Sequence, residues 1–164
     1  MKRLSLLLLV SFILFSFSGP FDGNKTLSES FYKASMEKSF REVFHESMEN
    51  LNSDSPLAIA YLGASKAMLA ETVSNPYSKY NYFVDGKELI EKAIKLDPND
   101  AEIRYVRFMI QSHTPAFLGY SNETKEDFER IVLELTSSQQ SAIWVSDLRA
   151  YLISSKSSFI LPES

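Results

Sequence analysis

Glu42 and His45 stand three residues apart on a predicted helix, the spacing that supplies two ligands in carboxylate-bridged di-iron bundles. Such a centre needs a second Glu-x-x-His pair and two more glutamates on facing helices. The only other histidine is His113, and Ile110 occupies the place where its glutamate would have to be. Helical spacing also puts Glu42, His45, Glu46 and Glu49 opposite Phe40, Val43, Phe44 and Ser47, so the pair is expected on a solvated face with no metal. No nucleophile elbow, phosphate loop, dinucleotide fingerprint, zinc-protease or haem-attachment motif occurs. With no cysteine in the chain, thiol nucleophiles, disulfides and thiolate metal sites are excluded. The expectation is a non-enzymatic protein without a cofactor, the alternative being an enzyme on an α-helical scaffold.

Other residues are suited to binding. Arg104, Arg107 and Gln111, at i, i+3 and i+7, form the polar strip of an otherwise apolar helix. A planar guanidinium can hold a carboxylate through two parallel hydrogen bonds, so the strip could grip a partner's acidic group. The alternative is internal pairing with Glu88, Glu91 or Asp97 on the neighbouring hairpin. Lys66 could join either arrangement. Tyr77, Tyr80, Tyr82 and Phe83 cluster near a predicted helix start, and Phe117 and Tyr120 punctuate a later loop. Such aromatics offer contact area with polar tips, or else pack the core and anchor loops.

The elements that must position these groups belong to one domain. The chain has 164 residues, 45% hydrophobic and 23% charged. A net charge of −4 argues against a nucleic-acid partner, which calls for a basic stripe. Residues 1–18 read as an export signal: Lys2 and Arg3 precede an apolar run from Leu4 to Phe17, and Ser16-Phe17-Ser18 permits cleavage before Gly19. The run falls short of the roughly 20 residues a membrane span needs, so a cleaved, periplasmic or secreted protein is expected rather than an anchored one. A flexible lead-in over 19–26, a helical domain over 27–154 and a loose tail over 155–164 complete the division.

About six helices are predicted and no strand. The first covers 27–51, and "NSDSP" ends it. Ser55 then caps a second helix, with Pro56 at its first position, running to about Val73 and expected to be the most buried. Asn75-Pro76 separates it from a third helix, Tyr77 to Leu96, in which Gly86 marks a close helix approach. Asp97-Pro98-Asn99-Asp100 turns the chain, with Asn99 or Asp100 capping a fourth helix that ends near Ser112. Asn122 is expected to cap a fifth helix, and a sixth covers about Gln140 to Ile153.

"AIKLDPND" resembles the close of a tetratricopeptide repeat, with Ala93 and Pro98 at its small-residue and proline positions. Leu62-Gly63 matches the Leu-Gly pair of the repeat's first helix. The separation between Gly63 and Ala93 exceeds the standard unit by about ten residues, and Arg107-Phe108 replaces the second Leu-Gly pair. The resemblance implies two degenerate hairpins, helices two–three and four–five, with the outer helices covering the ends. It also implies a surface that holds a protein or peptide partner, or else a subunit completed only in a larger, oligomeric assembly. "IRYVRFMIQ" and "PAFLGY" are similar to segments of small exported bacterial proteins, a resemblance that implies no mechanism.

Overall fold

The computed structural model describes residues 23–136 and 139–161. The predicted leader, residues 19–22 of the lead-in and the last three residues of the tail lie outside the described residues. Within them the structure is all-α, with helices α1 (Gly23–Met36), α2 (Arg41–Leu51), α3 (Pro56–Leu69), α4 (Pro76–Leu96), α5 (Ala101–His113), α6 (Thr124–Glu134) and α7 (Ile143–Ser154). None of these is long and apolar enough to cross a membrane.

Three helix starts follow directly from local chemistry. Ser55 Oγ accepts from the Ala58 amide, and Pro56 opens α3 without an amide to satisfy. Asn75 Oδ1 accepts from Tyr77 and Ser78 ahead of α4. Asp100, rather than Asn99, caps α5 through the amides of Glu102 and Ile103, at 2.8 and 2.9 Å. Asn122 does not cap α6. That helix begins at Thr124, whose hydroxyl donates back to the Ser121 carbonyl.

The predicted helix over 27–51 is two helices, making seven among the described residues. Glu37 is extended, with φ −119° and ψ 101°, and a short 3-10 turn over Lys38–Phe40 leads into α2. A straight rod of that length would measure about 37 Å and could not fold over the domain. The bend lets Phe31 of α1 and Phe44 of α2 face one core, their ring centroids 6.3 Å apart. α1 itself starts at Gly23, inside the segment expected to be a lead-in.

α3 and α4 form an antiparallel hairpin at very short range. A Cβ added to Gly86 would lie 2.5 Å from the Gly63 carbonyl oxygen and 2.6 Å from the Ala67 nitrogen. α5 and α6 form a second hairpin. Every residue from Ala101 to Gln111 is buried, so α5, and not the helix predicted, is the most enclosed. α1 and α7 pack against one another and close over the Tyr61 and Tyr105 side of α3 and α5. The Phe31 ring sits between Tyr61 and Tyr105, at 5.6 and 5.8 Å, and Trp144 of α7 follows at 5.4 Å from Tyr105.

Over its described residues, 155–161, the tail is not loose. Phe159 stacks on Phe128 with centroids 4.6 Å apart, and Leu161 is buried. After α7 the Ser157 amide returns to the Leu152 carbonyl, turning the chain back over the α5/α6 hairpin.

Candidate functional site

Arg104, Arg107 and Gln111 are brought together, but on the side of α5 that faces α4 and α6. All three are buried. Asp127 of α6, fully enclosed, accepts from both guanidinium groups: Arg107 Nε at 2.7 Å, Arg107 Nη2 at 2.6 Å and Arg104 Nη1 at 2.8 Å. Arg107 also reaches Glu91 of α4 at 3.0 Å, and Arg104 reaches Glu126 at 3.1 Å and the Pro98 carbonyl at 2.8 Å. Tyr120 donates to the other oxygen of Glu91. Burial pulls the Arg107 guanidinium down, but the hydrogen bonds and charge of Asp127, then Glu91, outweigh it and hold it above its ordinary value. Burial first, then Glu91, pushes the Tyr120 hydroxyl well up.

Of the two expectations for the strip, internal pairing is the one the structure supports, and the carboxylate-gripping groove is corrected. A buried ion pair is sustained only by close geometry and further hydrogen bonds, and here the protein's own carboxylates supply both. Of the three expected pairing residues, Glu91 is a partner. The central one, Asp127, reads in the sequence as a charge favouring the α6 start. Gln111 donates to Glu123 at 3.0 Å, while its buried Oε1 has no protein partner.

The remaining candidates disperse. Lys66 lies 3.8 Å from Glu49 across the α2–α3 contact, away from the arginines. His45 is half-buried, not solvated, because Phe44 and Met48 form the inner face of α2 while Val43 is exposed. Its Nδ1 meets Ser65 Oγ at 2.9 Å, and burial lowers its pKa despite nearby Glu49, keeping the ring neutral. Among the described residues no group of three or more metal-ligating side chains assembles. Tyr77 is 74% exposed and does not line the cleft that Tyr80, 57% exposed, borders.

That cleft, of about 600 Å³, lies where the ends of α1 to α5 converge. Phe31, Met68, Phe83, Met109 and Ile110 supply its apolar depth, while Tyr80 and the 86% exposed Phe117 stand at its mouth. Its size and apolar lining fit a small-ligand site. Arg41, Glu71, Lys79 and His113 edge it. Arg41 clamps the wall, donating to the Ala34 carbonyl at 3.1 Å and to Glu71 at 2.6 Å. His113 Nδ1 contacts the Met109 carbonyl, and its ring leans on Tyr151. Phe117 and Tyr80 carry a signal in the sequence as aromatics near loops. Arg41, Lys79 and the two methionines carry none, because the cleft arises from helix ends far apart in the chain.

Comparison with protein-family models, curated proteins and solved structures finds no match to this chain.

Proposed function

We propose that the protein is an exported, non-catalytic binding module whose working surface is the cleft at the converging ends of α1 to α5. One observation carries this reading: a cleft of about 600 Å³ combines an apolar interior with two aromatics exposed at its mouth. An exposed Phe117 serves no packing role that burial would reveal, and aromatic rims are well suited to closing on an apolar guest. The flexible thioethers of Met68 and Met109 suit a wall that adapts to its occupant. The tetratricopeptide resemblance fits the two hairpins, but the face a repeat would offer to a peptide carries α1 and α7. Binding is therefore assigned to the end of the helices and not to a concave side.

The polar groups at the edge support binding over catalysis. Arg41 is engaged by Glu71, and His113 by a backbone carbonyl. Neither belongs to a nucleophile–base pair of the kind covalent acyl transfer uses.

Nile red, a neutral apolar dye, tests the assignment. The folded chain should enhance its emission, and Ala70→Phe, which projects a ring into the cleft, should remove that enhancement with the helical spectrum unchanged. Equal enhancement by parent and variant would place the apolar surface elsewhere and end this reading.

A further inference from the structure

Resting on the cleft reading, we infer that the occupant is a single-chain amphiphile: a hydrocarbon chain seated in the cleft with an anionic head at Lys79, a long-chain fatty acid being the simplest form.

Hydrogen-bond satisfaction around the walls favours a hydrocarbon occupant. The start of α4 would ordinarily present free amides, but Pro76 has none. Tyr77 and Ser78 donate to Asn75 Oδ1, and Lys79 donates to the Asn75 carbonyl. At the end of α3, the carbonyls of Ala67, Met68 and Leu69 accept from Ala70, Glu71 and Thr72. At the end of α5, Thr114 Oγ1 donates to the Ile110 carbonyl and the Thr114 amide to Gln111. Ser35 donates to Tyr32, and Pro115 and Ala116 accept from Leu118 and Gly119. An extended peptide entering this cleft would bury amides and carbonyls beside wall backbone groups that, in these three helix ends, already have partners, each at a desolvation cost. A hydrocarbon chain brings no such groups.

Charge selects the head group. The protein is acidic overall, yet the cleft edge carries Arg41 and Lys79 against Glu71 alone. Arg41 and Glu71 neutralise each other at 2.6 Å. Among the described residues no carboxylate pairs with Lys79, so an ammonium remains at the mouth for an anionic head. Lysine suits this position, since its flexible stem can follow a head group while lying along apolar surface.

Displacement of Nile red from the full chain by dodecanoate and by 1-dodecanol, matched in chain length, separates the contribution of the chain from that of the head. Dodecanoate should compete more strongly. Lys79→Glu should weaken dodecanoate about three- to tenfold and leave dodecanol unchanged, the scale of one exposed ion pair plus its reversal. Ala70→Phe should block both. Phe117→Ala, remote from the core, should weaken both if Ala70→Phe proves unstable. 1-Lauroyl-lysophosphatidylglycerol, compared with dodecanoate under the same conditions, identifies a phospholipid or a free fatty acid as the source when either responds to Lys79→Glu. If both single-chain ligands displace the dye equally and Lys79→Glu alters neither, the anionic assignment falls while the cleft reading stands. Displacement by an apolar peptide library with none by dodecanoate overturns the amphiphile. If nothing competes and Ala70→Phe leaves dye emission unchanged, the cleft reading itself falls.

Discussion

Gly63 and Gly86 face each other across the α3/α4 hairpin so closely that each excludes a side chain on the other. A Cβ on Gly63 would lie 2.7 Å from the Gly86 carbonyl oxygen, and one on Gly86 would lie 2.5 Å from that of Gly63. Both obstacles are backbone, so neither can swing aside. The contact sets the spacing of the helices whose ends make one wall of the cleft.

Gly86→Ala should therefore destabilise by about 1–3 kcal/mol, although alanine favours helix by about 1 kcal/mol in an open position. Adding Gly63→Ala should cost less than its single-variant effect, since helices already forced apart have made room for it. Urea unfolding of the singles and the double checks this. A stabilised Gly86→Ala would mean that the hairpin adjusts freely.

Asp127 joins two buried guanidinium groups, and its loss leaves both positive charges short of their shared partner. Asp127→Asn should cost about 3–5 kcal/mol, the scale for breaking a buried pair from one side. The Arg104→Ala/Arg107→Ala double variant should also melt well below the parent. An unchanged melting temperature in either would show that water compensates the charges, and would restore an accessible strip.

How much of this is legible in the sequence depends on range. Ser55-Pro56, Asn75-Pro76 and Asp97 to Asp100 announce their helix boundaries because capping acts over two or three residues. The close hairpin is legible in Gly86, since a mid-helix glycine calls for a spatial reason. The burial of α5 is not, because Arg104 and Arg107 read as a groove strip or as partners of the preceding hairpin until Asp127, 23 and 20 residues on, is brought beside them. The break at Glu37 lacks proline and glycine and is imposed by the need to pack Phe31 and Phe44 together. The cleft belongs to no single segment, so no local pattern marks it.

Glu102 should make the fold weaker at alkaline pH. Burial pushes its carboxyl up to about 7, against the lowering effect of the Tyr61 hydroxyl, which donates to it at 2.7 Å. From the ordinary value of 4.5 up to about 7, the folded chain keeps a proton that the unfolded chain has lost. This contribution is fully present below 4.5 and disappears as pH rises through that window. Glu102→Gln retains an acceptor for Tyr61 and removes the charge, so it should exceed the parent by about 1–3 kcal/mol at pH 8 and match it in acid. Burial also raises Asp147, which accepts from Tyr105, adding to the parent's slope in the same direction. Urea midpoints of parent and variant that run parallel across this range would refute the assignment.

Phe159 and Ile160 are neighbours with opposite surroundings, which makes the C-terminal segment its own control. The Phe159 ring stacks on Phe128 at 4.6 Å and meets Phe108 edge-on at 5.9 Å, whereas Ile160 is 81% exposed. The Phe159 amide donates to Ser157 Oγ at 3.1 Å, holding the turn that delivers the ring. Phe159→Ala should cost about 1–3 kcal/mol, less than a fully enclosed phenylalanine because the ring is only partly buried. Ile160→Ala should change stability by less than about 0.5 kcal/mol, as surface substitutions do. Chemical denaturation of the two variants measures the difference. Equal, small effects would return the segment to a loose tail and leave Phe108 and Phe128 to close the α5/α6 hairpin by themselves.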